Sequence, residues 1–571
     1  MHAYLFEAKS IQAYIFRSGK LKDLIAASER LDRLINDVPY STLNRVLEAA
    51  QLDSNLLDAD KQVKDNVIGF TRCKGSALYA FCEHREPLEK FRSLWTLTVL
   101  QLFPGMEFTD ALTSGGDLGE AIAQGHEQMA QSRNTPKIKF PIASAVCENA
   151  PRSGMPSVPL SPTAREEVQK FQTHNGSESV DIDTEHHRQA YRFLNLRKDT
   201  LLGKFTGDTA SSSVLPESLT FPLDVDDFPG FKAADGDKEV VRDLALIHAD
   251  GNGIGLILRK LQEVLRFKEN DEFSRAFRLF STALANATQA AAAQATEWLY
   301  MNSQLTDDQL LPMRPIVLGG DDITLLCQAD LALGYAEQFC HAFKKLSEQE
   351  LKPLYDKYLI QSNIKPYLTA SGGVLYHKAN HPFSTCHQLV EGLCDEAKMA
   401  TKEVDVNVGP AALSFYRIGS VLAEDIKQLR HQTQRIELST EIDDITQQKE
   451  IISSLGGYLL EDDENKLNSL KKLRELADKA REKRSSGTSL PMSIAKFRQM
   501  ATHIATGDLA EAMRIYQRAL EQQNKESSEH ARPWILNQWL PEHADKIWLS
   551  DLLVYAHFNA PLKEEVNHGS H

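Results

Sequence analysis

The alternation of hydrophobic and polar positions predicts a first α/β unit over residues 1–135. HAYLFEA alternates as a strand, and SERLDRLINDVPYSTLNRVLEAA carries apolar residues at helical spacing. VIGFTR and SALYAFCEH follow as two short strands separated at Lys74-Gly75, which is a hairpin signal. A long helix is predicted over PLEKFRSLWTLTVLQLF. The unit therefore has the plan strand, helices, hairpin, helix.

A second α/β unit is predicted over residues 237–425. It begins with the strand VRDLALIHAD and the helices LILRKLQEVLRF and FSRAFRLFSTALANATQAAAAQATEWLYM. PIVLGGDDITLLCQ then predicts a strand, a tight turn and a strand, followed by the helix LALGYAEQFCHAFKKLSEQEL, the strand PYLTASGGVLYH and the helix CHQLVEGLCDEAKMATKEV. The order β-α-α-β-β-α-β is that of the palm of polymerases and nucleotide cyclases. Since the first unit has a similar plan, we interpret the chain as a divergent internal duplication.

The remaining residues predict a connection and a helical end. Residues 136–236 are rich in Pro, Ser, Gly and Asp and are predicted as an irregular connecting region with one helix around EEVQKFQ. Residues 426–571 are predicted as almost all helix, with LKKLRELADKAREKR as an amphipathic stretch. The predicted fold class is thus α+β multidomain, with two ferredoxin-like palm domains, a loop-rich connection and an all-α C-terminal domain.

Composition and charge narrow the classes of function. At 571 residues the chain exceeds one ordinary core, and 42% hydrophobic with 25% charged residues is typical of a soluble protein. No apolar run approaches the roughly 20 residues of a membrane helix, and the N-terminus lacks a signal-peptide pattern, so a cytoplasmic location without membrane contact is expected. A net charge of -15 disfavours non-specific coating of nucleic acid, which indicates that any nucleic acid is held mainly by partners.

Three carboxylates carry the candidate chemistry. Asp250 ends an apolar strand, and Asp321 and Asp322 occupy the tip of the second hairpin. A carboxylate pair between hydrophobic strands is costly unless a cation lies beside it. In a palm sheet the first strand lies next to this hairpin, so the three acids would face one another. That arrangement suits two magnesium ions, which activate an attacking hydroxyl and neutralise a pyrophosphate leaving group.

Glycines and lysines around these acids suggest a phosphate site. Gly319-Gly320 allows backbone dihedrals closed to other residues and lets a substrate approach the main chain. Gly251-Asn252-Gly253 precedes a helix, whose N-terminal amides can cradle a triphosphate. Lys398 and Lys402 lie one helical turn apart and are candidates for the β- and γ-phosphates. Taken singly, these are an ordinary turn, a strand-to-helix connection and a solvated helix face, whereas their combination in palm order favours nucleotidyl transfer.

With these motifs in place, the chain resembles the large palm-containing subunit of type III CRISPR effector complexes. IQAYIFRSGKLKDLIAASERLDRL resembles the opening of that family, and IHADGNGIG and LGGDDITLL resemble its two catalytic segments. LTASGGVLYHKANHPF with LVEGLCDEAKMATK resembles the last strand and helix of its palm, and LPMSIAKFRQMA resembles its helical C-terminal domain. The resemblance runs nearly the full length of the chain.

The resemblance implies synthesis of cyclic oligoadenylates from ATP, triggered by target RNA. It implies that Asp250, Asp321 and Asp322 are the ligands of two Mg²⁺ or Mn²⁺ ions. The residues implied to bind ATP and its phosphates are Gly251, Asn252, Gly253, Gly319, Gly320, Lys398 and Lys402. Ser28 and the Lys74-Gly75-Ser76 turn lie on the first palm's side, where a second ATP is expected. Small RNA-binding CRISPR subunits, guide RNA and target RNA are the implied partners.

Two departures from that family limit what is implied. Many members begin with an HD nuclease domain, whereas this sequence starts at the first palm, so no DNA cleavage is expected. Many members also hold zinc on cysteines between the palms. The seven cysteines here form no CxxC pair, and only Cys147 lies in that region, so no zinc is expected.

Two other functions stay open from the sequence. A stand-alone cyclic nucleotide synthase related to diguanylate cyclases uses the same palm and a similar glycine-acid hairpin, and no residue proves a preference for adenine. Alternatively, the chain is a non-catalytic scaffold that senses target RNA within an effector complex. Retention of Asp250, Asp321 and Asp322 argues against a palm without catalysis.

Overall fold

The structure is a computed structural model, and its described residues fall in a series of segments separated by short gaps. These are 1–17, 19–135, 146–158, 179–194, 201–207, 215–216, 219–228, 243–266, 268–303, 310–419, 423, 425–442, 445–461, 468–481, 493–506, 508–526 and 546–559. The helix predicted around EEVQKFQ lies outside the described residues. Within them, no helix is both long enough and apolar enough to cross a membrane.

The first unit is a four-stranded antiparallel sheet with helices on its faces. Its elements are β1 (His2–Lys9), α1 (Ile11–Phe16), α2 (Leu21–Asp32), α3 (Thr42–Ala49), β2 (Gly69–Lys74), β3 (Ala77–Cys82), α4 (Arg85–Leu102), β4 (Glu107–Ser114) and α5 (Leu118–Ser132). The strand order is β2-β3-β1-β4. The predicted hairpin at Lys74-Gly75 is confirmed, because Lys74 pairs with Ala77 across that turn.

The connecting region contributes helices to the described structure. They are α6 (Ile182–Leu194) and α7 (Leu201–Thr206), with two short strands, β5 (Ser157–Val158) and β6 (Val180–Asp181). Tyr14 of α1 donates a hydrogen bond to Asp183 over 2.8 Å, and Arg188 forms a two-pronged ion pair with Asp23 of α2. Paired hydrogen bonds to a buried carboxylate fix orientation as well as distance, so α6 is held firmly on the first unit.

The second unit is built on a six-stranded sheet. Its elements are β7 (Asp243–Asn252), α8 (Ile254–Leu265), α9 (Asn270–Asn302), β8 (Met313–Leu318), β9 (Ile323–Gln328), α10 (Ala329–Leu354), β10 (Thr369–Lys378), α11 (Phe383–Lys402) and β11 (Ala412–Arg417). With β14 (Gly457–Leu459) the strand order is β8-β9-β7-β10-β11-β14. The hairpin β8-β9 is thus followed across the sheet by β7 and β10, just as the hairpin β2-β3 is followed by β1 and β4 in the first sheet. The two palm-like sheets expected from the sequence are confirmed.

Strand β7 is buried on both faces, which explains its nearly continuous apolar run. Leu244 and Leu246 join the core that contains Tyr4 and Phe6 of the first sheet. Ala245, by contrast, faces the core beneath α8 and α9. Side chains alternate across a strand, so a strand covered on both sides needs apolar residues at every position.

The C-terminal part is not all helix, and that prediction is wrong for part of it. It contains α12 (Ile426–Gln434), α13 (Leu470–Arg481), α14 (Ile494–Ala505), α15 (Leu509–Glu526) and α16 (Leu549–Phe558), but also β12 (Arg435–Ile442), β13 (Ile445–Ile452) and β14 (Gly457–Leu459). Ile436 and Ile451 face each other in the hairpin and are both buried. Burial of β-branched residues paired across two strands favours the extended conformation over a helix.

A buried polar cluster joins this C-terminal part to the second palm. Arg430 of α12 donates to Glu396 of α11 over 2.9 Å and to Ser454 over 2.7 Å. Asp551 of α16 accepts hydrogen bonds from the hydroxyls of Tyr458 (2.7 Å) and Ser454 (2.9 Å). Burial raises the pKa of Asp551 to about 6, even though Arg430 and these hydrogen bonds favour its ionised form. Helix α11 therefore packs between the sheet and the C-terminal helices.

Candidate active site

The three predicted acids come together at one end of the second sheet. Asp250 lies near the end of β7, opposite Ser371 of β10. Asp321 and Asp322 lie in the turn between β8 and β9, directly before Ile323, which pairs with Ala249. Because neighbouring strands are about 5 Å apart, this register places the turn beside Asp250.

Gly319 is required by a side chain rather than by its own backbone angle. A Cβ atom at Gly319 would lie 1.6 Å from Oδ1 of Asp322, whereas one at Gly320 would meet nothing closer than Leu284 at 4.0 Å. Among the described residues, neither glycine is among those with positive φ. The pair therefore does not adopt the left-handed dihedrals that glycine allows. Gly319 instead leaves room for the Asp322 carboxylate.

The glycines after Asp250 shape the start of α8. Gly253 is the residue before the helix and has φ of +89°, the left-handed region that favours glycine. A Cβ at Gly251 would come within 3.3 Å of the Asp321 Cβ atom, so this glycine allows the turn to approach β7. Asn252 donates to the Ser371 hydroxyl over 2.8 Å and thereby ties the end of β7 to β10.

Lys398 and Lys402 have different surroundings. Lys398 forms an ion pair with Asp250, whereas Lys402, one turn further along α11, is exposed. Helix α11 approaches the sheet closely because β10 has a glycine beneath it: a Cβ at Gly373 would lie 2.4 Å from the Val390 carbonyl oxygen. The structure thus brings Lys398 into the acid cluster and leaves Lys402 at its edge.

The pKa values of the three carboxylates show that the cluster has more negative than positive charge. Burial, and then the charges of Asp250 and Asp322, hold the pKa of Asp321 well above its usual range. Burial also raises the pKa of Asp322. For Asp250 the effect of burial is outweighed by Lys398, so its pKa is lowered. One lysine therefore balances one of the three carboxylates.

Two cavities meet at this turn. The larger has a volume of about 480 Å³ and lies between the two units, with Ser28 and the Gly75-Ser76 turn on one side and Gly319–Asp322 on the other. The smaller, about 280 Å³, lies between β2 and helices α8 and α9, and its wall includes Lys74, Phe273 and Phe277. Gly320 and Asp321 line both cavities. Asp321 is therefore accessible from both cavities and Asp322 from the larger one.

Comparison with known proteins places the second unit in a family. Residues 243–404 match the family model described as Cas10/Cmr2, second palm domain. This stretch contains Asp250, the hairpin acids and Lys398. This segment is therefore similar to the Cas10/Cmr2 second palm domain. The resemblance drawn from the sequence is confirmed for this domain.

Solved structures align with the chain over most of its length but loosely. A Csm1-Csm4 cassette in complex with cA4 aligns with 98% of this chain and 69% of its own, at 12% identity and a TM-score of 0.49. The cassette with cA3 gives the same values, and Csm1 of T. onnurineus aligns at 12% identity, 97% and 69% coverage and a TM-score of 0.37. No curated protein matches the chain in sequence. Alignments this loose carry no further weight.

The donor set at this turn suits hard divalent cations. Mg²⁺ prefers carboxylate oxygens and phosphates, and three carboxylates that repel one another gain from a nearby cation. In the described part of the chain, no three His, Cys, Asp or Glu side chains are grouped as a formed metal site. At the turn, Lys398 already binds Asp250 and Gln12 binds Asp322, so two of the three carboxylates have protein partners.

The partner of Asp322 was missed in the sequence. Gln12, from α1 of the first unit, donates to Asp322 Oδ2 over 2.6 Å. His387 of α11 lies 2.6 Å from the same amide, through its Nε2 atom and Gln12 Oε1. His248 of β7 lies 3.0 Å from the Thr324 hydroxyl, and its pKa is lowered by burial although Asp322 opposes this shift. No local motif connects Gln12 with Asp322 or His387, because these two contacts join residues 310 and 375 positions apart.

Proposed function

We propose that this protein is a nucleotidyltransferase that uses two divalent metal ions to polymerise ATP and cyclise it into oligoadenylates. The observation that supports this most strongly is the convergence of Asp250, Asp321 and Asp322 at a turn that lines two cavities, in a segment similar to the Cas10/Cmr2 second palm domain. One acid cluster open to two cavities suits a reaction between two nucleotides. A single hydrolytic site would need only one.

Each step of the proposed reaction joins two nucleotides and releases pyrophosphate. A ribose hydroxyl oxygen of one nucleotide attacks the α-phosphorus of the other, and the bond from that phosphorus to the β-phosphate oxygen breaks. Metal ions would lower the pKa of the attacking hydroxyl and balance the charge of the leaving pyrophosphate. The carboxylates of Asp250, Asp321 and Asp322 would hold those ions, as Mg²⁺ or Mn²⁺.

The phosphate-binding roles follow from position. Gly253 lies at the start of α8, where the helix dipole favours an anion, and Gly251 and Asn252 end the preceding strand β7. Lys398 would exchange Asp250 for the phosphates when divalent ions bind the carboxylate, whereas Lys402 is placed for a longer-range contribution. Gly319 and Gly320 would keep the turn open to the substrate.

The two cavities would each hold one nucleotide. The smaller, with Phe273, Phe277 and Lys74 in its wall, combines apolar surface for a base with a cation for phosphates. The larger, with Ser28 and Ser76, would hold the second ATP against the first unit. Solved Csm1-Csm4 cassettes are described in complex with cA4 or cA3. For this protein a cyclic oligoadenylate is proposed on the likeness of residues 243–404 to the Cas10/Cmr2 second palm domain.

The proposed setting is a type III CRISPR-type antiviral complex. There, small RNA-binding subunits, guide RNA and target RNA would control the reaction, in agreement with a net charge of -15 that disfavours direct coating of RNA. The bound metals, the trigger and the cytoplasmic location all belong to this proposal.

The test is to incubate the purified protein with each of the four nucleoside triphosphates and Mg²⁺ or Mn²⁺ and to identify products by mass spectrometry. Each sample is run with and without partner subunits, guide and target RNA. Cyclic or linear oligoadenylates that disappear in Asp321→Ala/Asp322→Ala but persist in Asp60→Ala, an exposed acid of the first unit, are expected. Products without partners would favour the stand-alone synthase. Absence of product, ATP binding and metal binding under all conditions would contradict the enzyme and favour the scaffold.

A further inference from the structure

A side chain of the first unit reaches into the acid cluster of the second. Gln12 lies on α1, which begins directly after β1, and its amide nitrogen donates to Asp322 Oδ2 over 2.6 Å. Ser10, immediately before α1, has φ of 47° and ψ of 42°, a left-handed conformation that is uncommon for a residue other than glycine. Strained backbone of this kind persists where surrounding structure requires it, often at functional sites.

The amide of Gln12 is itself oriented from a third element. A glutamine amide has one donor side and one acceptor side, so once Nε2 donates to a carboxylate, Oε1 must accept. His387 of α11 meets that need, because its Nε2 lies 2.6 Å from Gln12 Oε1. Phe16 of α1 stacks on the His387 ring at a centroid distance of 4.4 Å. Burial lowers the pKa of His387 to about 3, so its ring is neutral near pH 7. Because Gln12 Oε1 can only accept, the hydrogen bond assigns the ring proton to Nε2.

Three contacts fix the position of Asp322. Its backbone carbonyl accepts from Gly319 over 2.8 Å, its Oδ1 fills the space above Gly319, and its Oδ2 binds Gln12. The turn holds the first two contacts by itself. The third depends on how the first unit docks on the second, since β1 and α1 belong to a different sheet.

We propose that Gln12 is a positioning residue for Asp322, oriented by His387, and that it makes the geometry of the acid cluster depend on the docking of the first unit. The inference rests on the proposed function, because it assigns Asp322 a role in holding divalent ions. Gln12 acts through Asp322 and transfers no atom in the reaction. Outer residues that hydrogen-bond a metal-binding carboxylate change metal affinity by roughly 10- to 100-fold when removed.

The test measures metal affinity without turnover. Binding of Mn²⁺ is followed by the electron paramagnetic resonance signal of the free ion in wild-type protein, Gln12→Ala, His387→Ala, His387→Gln and the double variant Gln12→Ala/His387→Ala. Gln131→Ala, at an exposed glutamine of α5, and His341→Ala, at an exposed histidine of α10, are the matched controls. Thermal melting and circular dichroism establish that each variant is folded.

We expect Gln12→Ala to weaken Mn²⁺ binding by about 10-fold and to lower kcat while leaving KM for ATP within about twofold. His387→Gln retains an N–H donor and is expected to bind Mn²⁺ more tightly than His387→Ala. The double variant is expected to be no weaker than Gln12→Ala, because His387 acts through Gln12. The two controls are expected to match the wild type.

Several outcomes would overturn the inference. Mn²⁺ affinity of Gln12→Ala within twofold of wild type, or additive losses in the double variant, would show that Gln12 fills space and does not position Asp322. If wild-type protein binds no Mn²⁺, the inference falls together with the metal site. If it binds Mn²⁺ and Gln12→Ala weakens that binding, but no nucleotide product forms, only the proposed function fails.

Discussion

A single methyl group added at Gly319 is expected to change the geometry of the acid cluster while leaving the fold nearly as stable as in the wild type. In Gly319→Ala the new Cβ would start 1.6 Å from Asp322 Oδ1, and real Cβ contacts essentially never fall below 3.0 Å. The carboxylate must therefore retreat by about 1.4 Å or rotate away. Either movement breaks the 2.6 Å hydrogen bond from Gln12.

The two consequences of this shift differ in size. Loss of one hydrogen bond on a half-buried turn costs roughly 1 kcal/mol of unfolding free energy, because water replaces part of it. A displacement of about 1 Å in a reacting constellation, by contrast, lowers a rate by roughly 100-fold. We therefore expect Gly319→Ala to remain folded and to lose at least about 100-fold in kcat for nucleotide transfer.

Gly320→Ala is the matched control, since its Cβ would meet only Leu284 at 4.0 Å and its backbone angle needs no glycine. It is expected to lose much less activity than Gly319→Ala and to melt at or slightly above the wild-type temperature, because alanine restricts the unfolded chain. The assay is initial-rate product formation with Mn²⁺ and ATP, alongside thermal melting. Equal losses in the two variants, or near-normal activity of Gly319→Ala, would refute the steric argument.

Three further predictions concern Lys398, Gly253 and Asp551. Lys398→Met removes the cation that pairs with Asp250 and is proposed to bind the phosphates, so ATP binding should weaken by about 10-fold in a titration. Exposed Lys402→Met should change ATP binding by less than about twofold. Equal effects of the two variants would contradict the assignment. Gly253→Ala places a side chain at φ of +89° and 2.8 Å from Val408. We expect it to lower the unfolding free energy, measured in urea, by about 1–3 kcal/mol. An unchanged unfolding free energy would contradict this expectation. Asp551 has a folded pKa raised to about 6, so folding favours its protonated form and its contribution is lost as pH rises from about 4 to about 6. Over that window the wild type should lose up to about 3 kcal/mol more than Asp551→Asn in urea unfolding, and parallel pH profiles would rule this out.

The sequence predicted the framework of the second palm because its signals are local. An apolar strand ending at Asp250, a glycine-rich turn and two strands around Gly319–Asp322 depend on residues near one another in the chain. Their periodicity and turn chemistry require no knowledge of distant segments. The hairpin at Lys74-Gly75 followed in the same way.

Weaker strands escaped prediction because their stability comes from pairing. Strand β11 has six residues and pairs in parallel with β10. Strands β12 and β13 pair with each other inside a region predicted to be helical. Short strands carry little propensity of their own, and what they gain depends on which neighbours the fold supplies.

The sequence by itself determined that three acids and their glycines lie in palm order, because strand and turn patterns are short-range. The tertiary structure alone decided which groups the acids meet. Asp322 binds Gln12 at a separation of 310 residues, and Asp250 binds Lys398 at a separation of 148. It also decided why Gly319 must be glycine, since the reason is the position of the Asp322 side chain and not a backbone angle. Contacts of this kind arise from packing between sheets and helices, and packing is not encoded in any single window of the chain.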